Sequence, residues 1–175
     1  MVPDLFNRGS WFSCVKKLMA ELKTGNGQGV KDLIQARDWL AQRIYVDSER
    51  MGVMGLCMGG GFALLLAKTG LFRVSAPFYG QVPERLDGIC ALVASYGDQD
   101  RRLLKDAERL KNELPMLGVP YDMKIYAQAG HGFMNRRPHV LLTLIGGLAK
   151  VSYEPDAAAD AKRRLVSFLK THLST

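Results

Sequence analysis

From Val30 onward the apolar positions Val30, Leu33, Ile34, Leu40, Ala41 and Ile44 recur at helical spacing, which predicts an amphipathic helix over about 29–44. Before it, SCVKKLMAELK (13–23) fits a helix, and TGNGQG (24–29) breaks the chain between the two. VPDLF (2–6) reads as the end of a strand running into a turn. The pattern then changes. RMGVMGL (50–56) is a short apolar strand, and FALLLAKTG (62–70) is apolar on nearly every side. The latter predicts a buried helix that ends at Gly70. RVSAPFYG (73–80) and ICALVASYG (89–97) are apolar without strict alternation, as in parallel strands covered on both faces. An amphipathic helix over 101–114 stops at Pro115, and YDMKIYA (121–127) is the last strand. HVLLTLIGGLAKV (139–151) is apolar and fits either class. The final helix covers 156–173, with Asp156 as its expected N-cap.

Strand and helix alternate, so the expected fold class is α/β, with a mostly parallel sheet flanked by helices. A length of 175 residues suits one domain, taken as 1–175. In such sheets, ligands bind beyond the carboxyl ends of the strands. Three segments fall there: the Cys57 turn, the GDQD turn (97–100) and the GHGF turn (130–133).

Charge adds little to this picture. The net charge is +7, but the basic residues are scattered and do not interleave with aromatics. No nucleic-acid surface is therefore expected, whereas a small anionic substrate remains compatible. The three cysteines lack paired spacing and form no CxxC, so no zinc or redox motif is expected. The N-terminus has no leader-like basic and apolar regions, and no apolar run is long enough for a membrane span. A reduced, cytoplasmic setting is the expected localisation.

The chemistry is concentrated in GLCMG (55–59), where a cysteine follows a strand and opens a helix. That is the context of a nucleophile elbow. The turn is sharp, and glycine is expected at both Gly55 and Gly59 to avoid collisions. The helix N-terminus favours thiolate over thiol, and Met58 N–H is the expected oxyanion donor. The competing reading is a small buried cysteine in a glycine-rich turn. A phosphate loop is a further competing reading, disfavoured by the missing Lys-Ser/Thr and by the glycine spacing.

A thiol nucleophile needs a base, and the base needs an orienting group. SYGDQD (95–100) supplies Asp100, with Asp98 as the alternative acid, and YAQAGHGF (126–133) supplies His131. Asp100 as a plain helix cap and His131 as a plain loop residue are the competing readings. His139 and His172 are weaker candidates for the base. The order nucleophile, acid, histidine is that of α/β-hydrolases.

GLCMGGGFALLLA, SYGDQD and YAQAGHGFMNR resemble the dienelactone hydrolase family, cysteine-dependent members of the α/β-hydrolase fold. PDLFNR (3–8) resembles the family's PDLY-x-R segment, and AADAKRRLVSFLKTHL its closing helix. The resemblance implies a carboxylic ester hydrolase like carboxymethylenebutenolidase, acting on lactones or small esters through a thioester and without metal or cofactor. It implies Cys57 as nucleophile, Asp100 as acid and His131 as base. It implies Arg8 as a partner for the substrate carboxylate. The second such arginine falls at Asn135, with Arg136 next to it.

One departure is large. Only 56 residues precede Cys57, whereas family members carry several strands and a helix before the PDLF segment. A loop in that region supplies a second oxyanion N–H and a glutamate, neither of which has a counterpart here. The chain thus resembles an N-terminally shortened member, with a sheet edge open to self-association. Two other functions stay open. One is a non-catalytic relative or interaction module; the other is a thiol acyltransferase or redox-sensing thiol protein.

Overall fold

The computed structural model describes residues 1–136 and 153–174. The described strands are β1 (Gly52–Leu56), β2 (Val74–Phe78), β3 (Ala91–Gly97) and β4 (Tyr121–Tyr126). They form one parallel sheet in the order β1-β2-β3-β4. Five helices accompany them among the described residues: α1 (Trp11–Thr24), α2 (Gln28–Ala41), α3 (Met58–Ala67), α4 (Leu104–Glu113) and α5 (Pro155–Leu173). Neighbouring strands are joined through helices or long connections, as parallel pairing requires.

The all-apolar character of α3 has a simple cause. The helix lies between the sheet and the α1–α2 pair, packing against β1 and β2 on one side and both helices on the other. Every residue from Gly60 to Ala67 is buried. Leu18, Leu22, Phe62 and Leu65 close the contact with α1, and Met51, Leu66 and Phe72 form a second small cluster towards α2. The main core lies around β2 and β3, closed by Ala107 and Leu110 of α4 and by Ala161, Leu165 and Phe168 of α5. All seven residues of β3 are buried, which explains why its sequence does not alternate.

Several boundaries differ from the sequence expectation. Residues 2–6 form no strand; Leu5 and Phe6 instead pack beside the α1–α3 cluster. The buried helix begins at Met58, not at 62, because glycines that read as a loop lie in its first turns. It ends at Ala67, so Gly70 lies in the turn beyond it. α2 stops at Ala41, leaving Ile44 and Tyr45 exposed in the following turn. α4 starts at Leu104, and Pro115 lies within a short 3-10 turn (Leu114–Met116) that continues it. The last helix is capped by Glu154, with Pro155 at its first position; Asp156 is in the first turn, not at the cap. The apolar stretch 139–151, with His139, lies outside the described residues.

Among the described residues the outer edge of β1 carries no partner strand. Met54 and Leu56 are exposed on that strand. A groove lies at its amino end, between Leu40, Tyr45, Met51 and Leu173, at the far end of the strand from Cys57.

Candidate active site

β1 delivers the chain to Cys57, and α3 begins at the next residue. Cys57 has φ 55° and ψ −119°, a backbone region that residues other than glycine rarely occupy. Such a conformation costs about 1–3 kcal/mol and persists only where its surroundings enforce it. Here Cys57 N–H donates to Phe78 O at 3.0 Å, and Cys57 O accepts from Gly60 N at 2.9 Å and Gly61 N at 3.2 Å. Gly55 is indispensable to the turn, since a Cβ there would stand 1.9 Å from Gly59 O. The expected requirement for glycine at 59 does not hold: a Cβ at Gly59 meets nothing within 4 Å. The turn folds over residue 55, and position 59 faces open space.

The acid and the histidine arrive from β3 and β4. β3 ends at Gly97, and the turn that follows carries Asp100; β4 ends at Tyr126, and its turn carries His131. These two turns are joined. Asp98 N–H donates to Tyr126 O at 3.0 Å and Gln99 N–H to Ala129 O at 2.9 Å. Gly97 permits this, because a Cβ there would lie 2.2 Å from Ala129 O. Asp100 is 1% exposed, and its Oδ2 accepts from His131 Nδ1 at 2.6 Å. Its Oδ1 is buried without a partner among the described residues. The carboxylate is thus committed to His131 and does not cap α4, which has no side-chain cap. Asp98 instead accepts from the side chain of its neighbour Gln99.

His131 Nε2 stands 3.0 Å from Cys57 Sγ. Burial by itself would push the Cys57 thiol up, but the hydrogen bond and charge of His131, with help from the Met58 N–H, hold it below its ordinary value. Burial would likewise lower His131, yet the hydrogen bonds to Asp100 and Cys57 prevail and raise it to about 9. Both directions favour the same proton arrangement, with charge drawn onto the sulfur and the imidazole together. Met58 N–H points at the sulfur from the first turn of α3, where backbone donors are otherwise unpaired.

The two arginines lie in other company. Arg8 donates from Nε and Nη2 to Asp32 of α2, both at 3.0 Å, and Gln28 donates to the same carboxylate at 2.8 Å. Arg136 is exposed and donates from Nε to Tyr153 Oη at 3.4 Å. Of the other thiols, Cys14 is buried in α1, and burial raises Cys90 to about 11. His172 packs on Phe168 near the end of α5. Among the described residues no cluster of His, Cys, Asp or Glu could hold a metal ion, and no helix is long and apolar enough to cross a membrane.

Sequence reasoning missed one residue here. Tyr79 follows β2 directly, is fully buried, and sets its ring edge against His131 at 5.3 Å between centroids. Its place at the carboxyl end of a strand beside the elbow strand was the available signal.

The chain is similar to several known proteins. A probable 2-oxo-3-(5-oxofuran-2-ylidene)propanoate lactonase from Bradyrhizobium sp is 28% identical, over 98% of this chain and 68% of its own. A putative carboxymethylenebutenolidase from Saccharolobus solfataricus is 29% identical over 88% of this chain and 58% of its own. A carboxymethylenebutenolidase from Rhodococcus opacus is 28% identical over 73% of this chain and 52% of its own. The chain therefore spans between about half and two thirds of the length of these relatives. Among solved structures, m3DLH superposes with a TM-score of 0.78 at 22% identity, covering 99% of this chain and 74% of that one. An α/β-hydrolase from a deep-sea metagenome library superposes with a TM-score of 0.65 at 15% identity, covering 83% of this chain and 65% of that one, which fixes the fold as α/β-hydrolase. The sequence profile of one family matches from residue 1 to residue 173, and by that match the chain belongs to the dienelactone hydrolase family.

Proposed function

We propose that this protein hydrolyses lactones or small carboxylic esters through a thioester on Cys57. The observation that carries this reading is the relay from Asp100 through His131 to Cys57, at 2.6 and 3.0 Å, with the thiol lowered and the imidazole raised. The thiolate attacks the carbonyl carbon and forms the C–S bond. Negative charge moves to the carbonyl oxygen, which Met58 N–H receives. As the intermediate collapses, the C–O bond breaks and His131 Nε2 gives its proton to the leaving oxygen; in a lactone, that step opens the ring. Water then attacks the thioester, His131 takes its proton, and the C–S bond breaks to restore the thiolate. Asp100 holds the imidazole in orientation and stabilises its charged form throughout.

Arg8 and Arg136 are the groups for an anionic substrate in this reading. Arg8 engages a substrate carboxylate by exchanging Asp32 for it, since its fork is already filled. The relatives named as lactonases and carboxymethylenebutenolidases support a lactone as the substrate class.

The test is acyl transfer itself. An activated aryl ester mixed with this protein is expected to give a burst of aryl alcohol equivalent to the enzyme. Intact mass should then show one acyl group, mapped to Cys57 and lost on standing in water. A thiol that alkylates readily but never accepts an acyl group would instead identify a redox-sensing thiol.

A further inference from the structure

We propose that Tyr79 is a positioning residue for the Cys57–His131 pair: its ring edge fixes the imidazole plane, and its buried hydroxyl is reserved for negative charge on the sulfur. This rests on Cys57 and His131 being the reacting pair described above.

The hydroxyl stands out by contrast with its neighbours. Tyr96 is as deeply buried, and its hydroxyl donates to Gly80 O at 2.9 Å. Tyr126 donates to Asp160 at 2.9 Å. Tyr79 is 0% exposed, yet its hydroxyl has no partner among the described residues. An unsatisfied buried donor destabilises the fold, and phenylalanine would fill the same space without that cost. Such a group persists in a fold for a reason other than packing.

The backbone tells the same story. Tyr79 sits at φ 39°, outside the region that bulky residues adopt. The surroundings hold it there. Tyr79 N–H donates to Ser95 O at 2.8 Å. The next residue, Gly80, lies so close to α3 that a Cβ on it would stand 2.2 Å from the Gly60 carbonyl carbon. Beyond it, Arg109 donates to Val82 O and Pro83 O at 3.2 and 2.8 Å, and Asp106 accepts from Val82 N–H at 3.2 Å. These contacts hold the strained turn that carries the Tyr79 ring. That ring meets His131 edge-on at 5.3 Å and is backed by Phe133 at 5.4 Å. Burial and then the nearby Cys57 charge both resist ionisation of the phenol, so it acts as a neutral donor and not as a base.

Tyr79→Phe separates this role from a structural one. Melting temperature should stay level or rise by about 2–4 °C, because an unsatisfied hydroxyl is removed. The pH midpoint for alkylation of Cys57 should rise by about half a unit to one unit, and kcat on an activated ester should fall about tenfold with KM within twofold. Tyr79→Leu removes the ring as well and should lower kcat about a further tenfold. An unchanged alkylation midpoint and kcat in Tyr79→Phe overturns the hydroxyl's role, as does a fall in melting temperature without a shift in midpoint. Equal kcat in the two variants overturns the ring's role. The alkylation midpoint needs no ester turnover, so it reads Tyr79 even where the hydrolase assignment fails.

Discussion

Cys57 and Cys90 are both half-buried thiols, and they stand at opposite ends of the same sheet. Cys57 follows β1 at its carboxyl end and opens α3; Cys90 precedes β3 at its amino end, and its N–H donates to Ala67 O, the last residue of α3, at 3.0 Å. One helix therefore touches both cysteines, presenting donors to the first and a terminal carbonyl to the second. Burial raises both thiols. At Cys90 a backbone hydrogen bond opposes burial without overcoming it, and the thiol rises to about 11. At Cys57 the imidazole and the Met58 N–H reverse the sign. A buried thiol becomes a nucleophile through where it lies on the sheet and what faces it, not through burial itself.

The largest expected effect erases this difference. His131→Ala should leave Cys57 with burial as its dominant influence, moving its alkylation midpoint above the ordinary thiol value and towards that of Cys90. Ester turnover should fall by about 10⁴–10⁶, read as kcat on folded protein. The wild-type rate should also decline on the alkaline side as His131 loses its proton near 9. The sign is that of a raised base: its protonated form is complete below its ordinary value and is lost as pH climbs through the raised one.

Asp100→Asn comes next, with a loss of about 10⁴ in kcat, because the imidazole loses the carboxylate that orients it. Asp98→Asn, which touches only the Gln99 side chain and the turn, should change kcat less than threefold. The opposite ranking would place the acid wrongly.

The elbow gives a third contrast. Gly55→Ala forces a methyl group into Gly59 O and should destabilise the protein by about 2–3 kcal/mol or more, seen as a lower melting temperature and a less reactive Cys57. Gly59→Ala meets open space within a helix and should stabilise by about 0.5–1 kcal/mol. The smallest effect concerns Asp32→Asn. It removes an exposed ion pair worth under about 1 kcal/mol, so stability should barely change, while Arg8 is released. A lower KM for a carboxylate-bearing ester, with that for its neutral analogue unchanged, is the expected result.

The strands and the three residues of the relay were legible because their signals are local. Strand-to-helix turns, flanking glycines and chain order all lie within short windows of sequence. The helix boundaries were less legible at Gly59–Gly61, where glycines that read as loop lie inside α3 and Gly60 packs against the backbone of Phe78 and Gly80. The Pro155 start of α5 was available from the preference of proline for first helical turns and was passed over for Asp156. Tyr79 was out of reach for a different reason. Its strained backbone is held by Ser95 and by the approach of Gly80 to Gly60, which no short window brings together.

The junction between the β3 and β4 turns has a mechanical consequence. Because the backbone at Gly97 rests on Ala129 and Gln99 N–H is bonded to Ala129 O, no slack separates Asp100 from His131. Asp100 and His131 are thus tied by backbone as well as by side chain, whereas Cys57, on a different turn, meets His131 through side chains at 3.0 Å. Under the proposed reaction, an opening that admits a substrate is expected to part His131 from Cys57 before it parts Asp100 from His131.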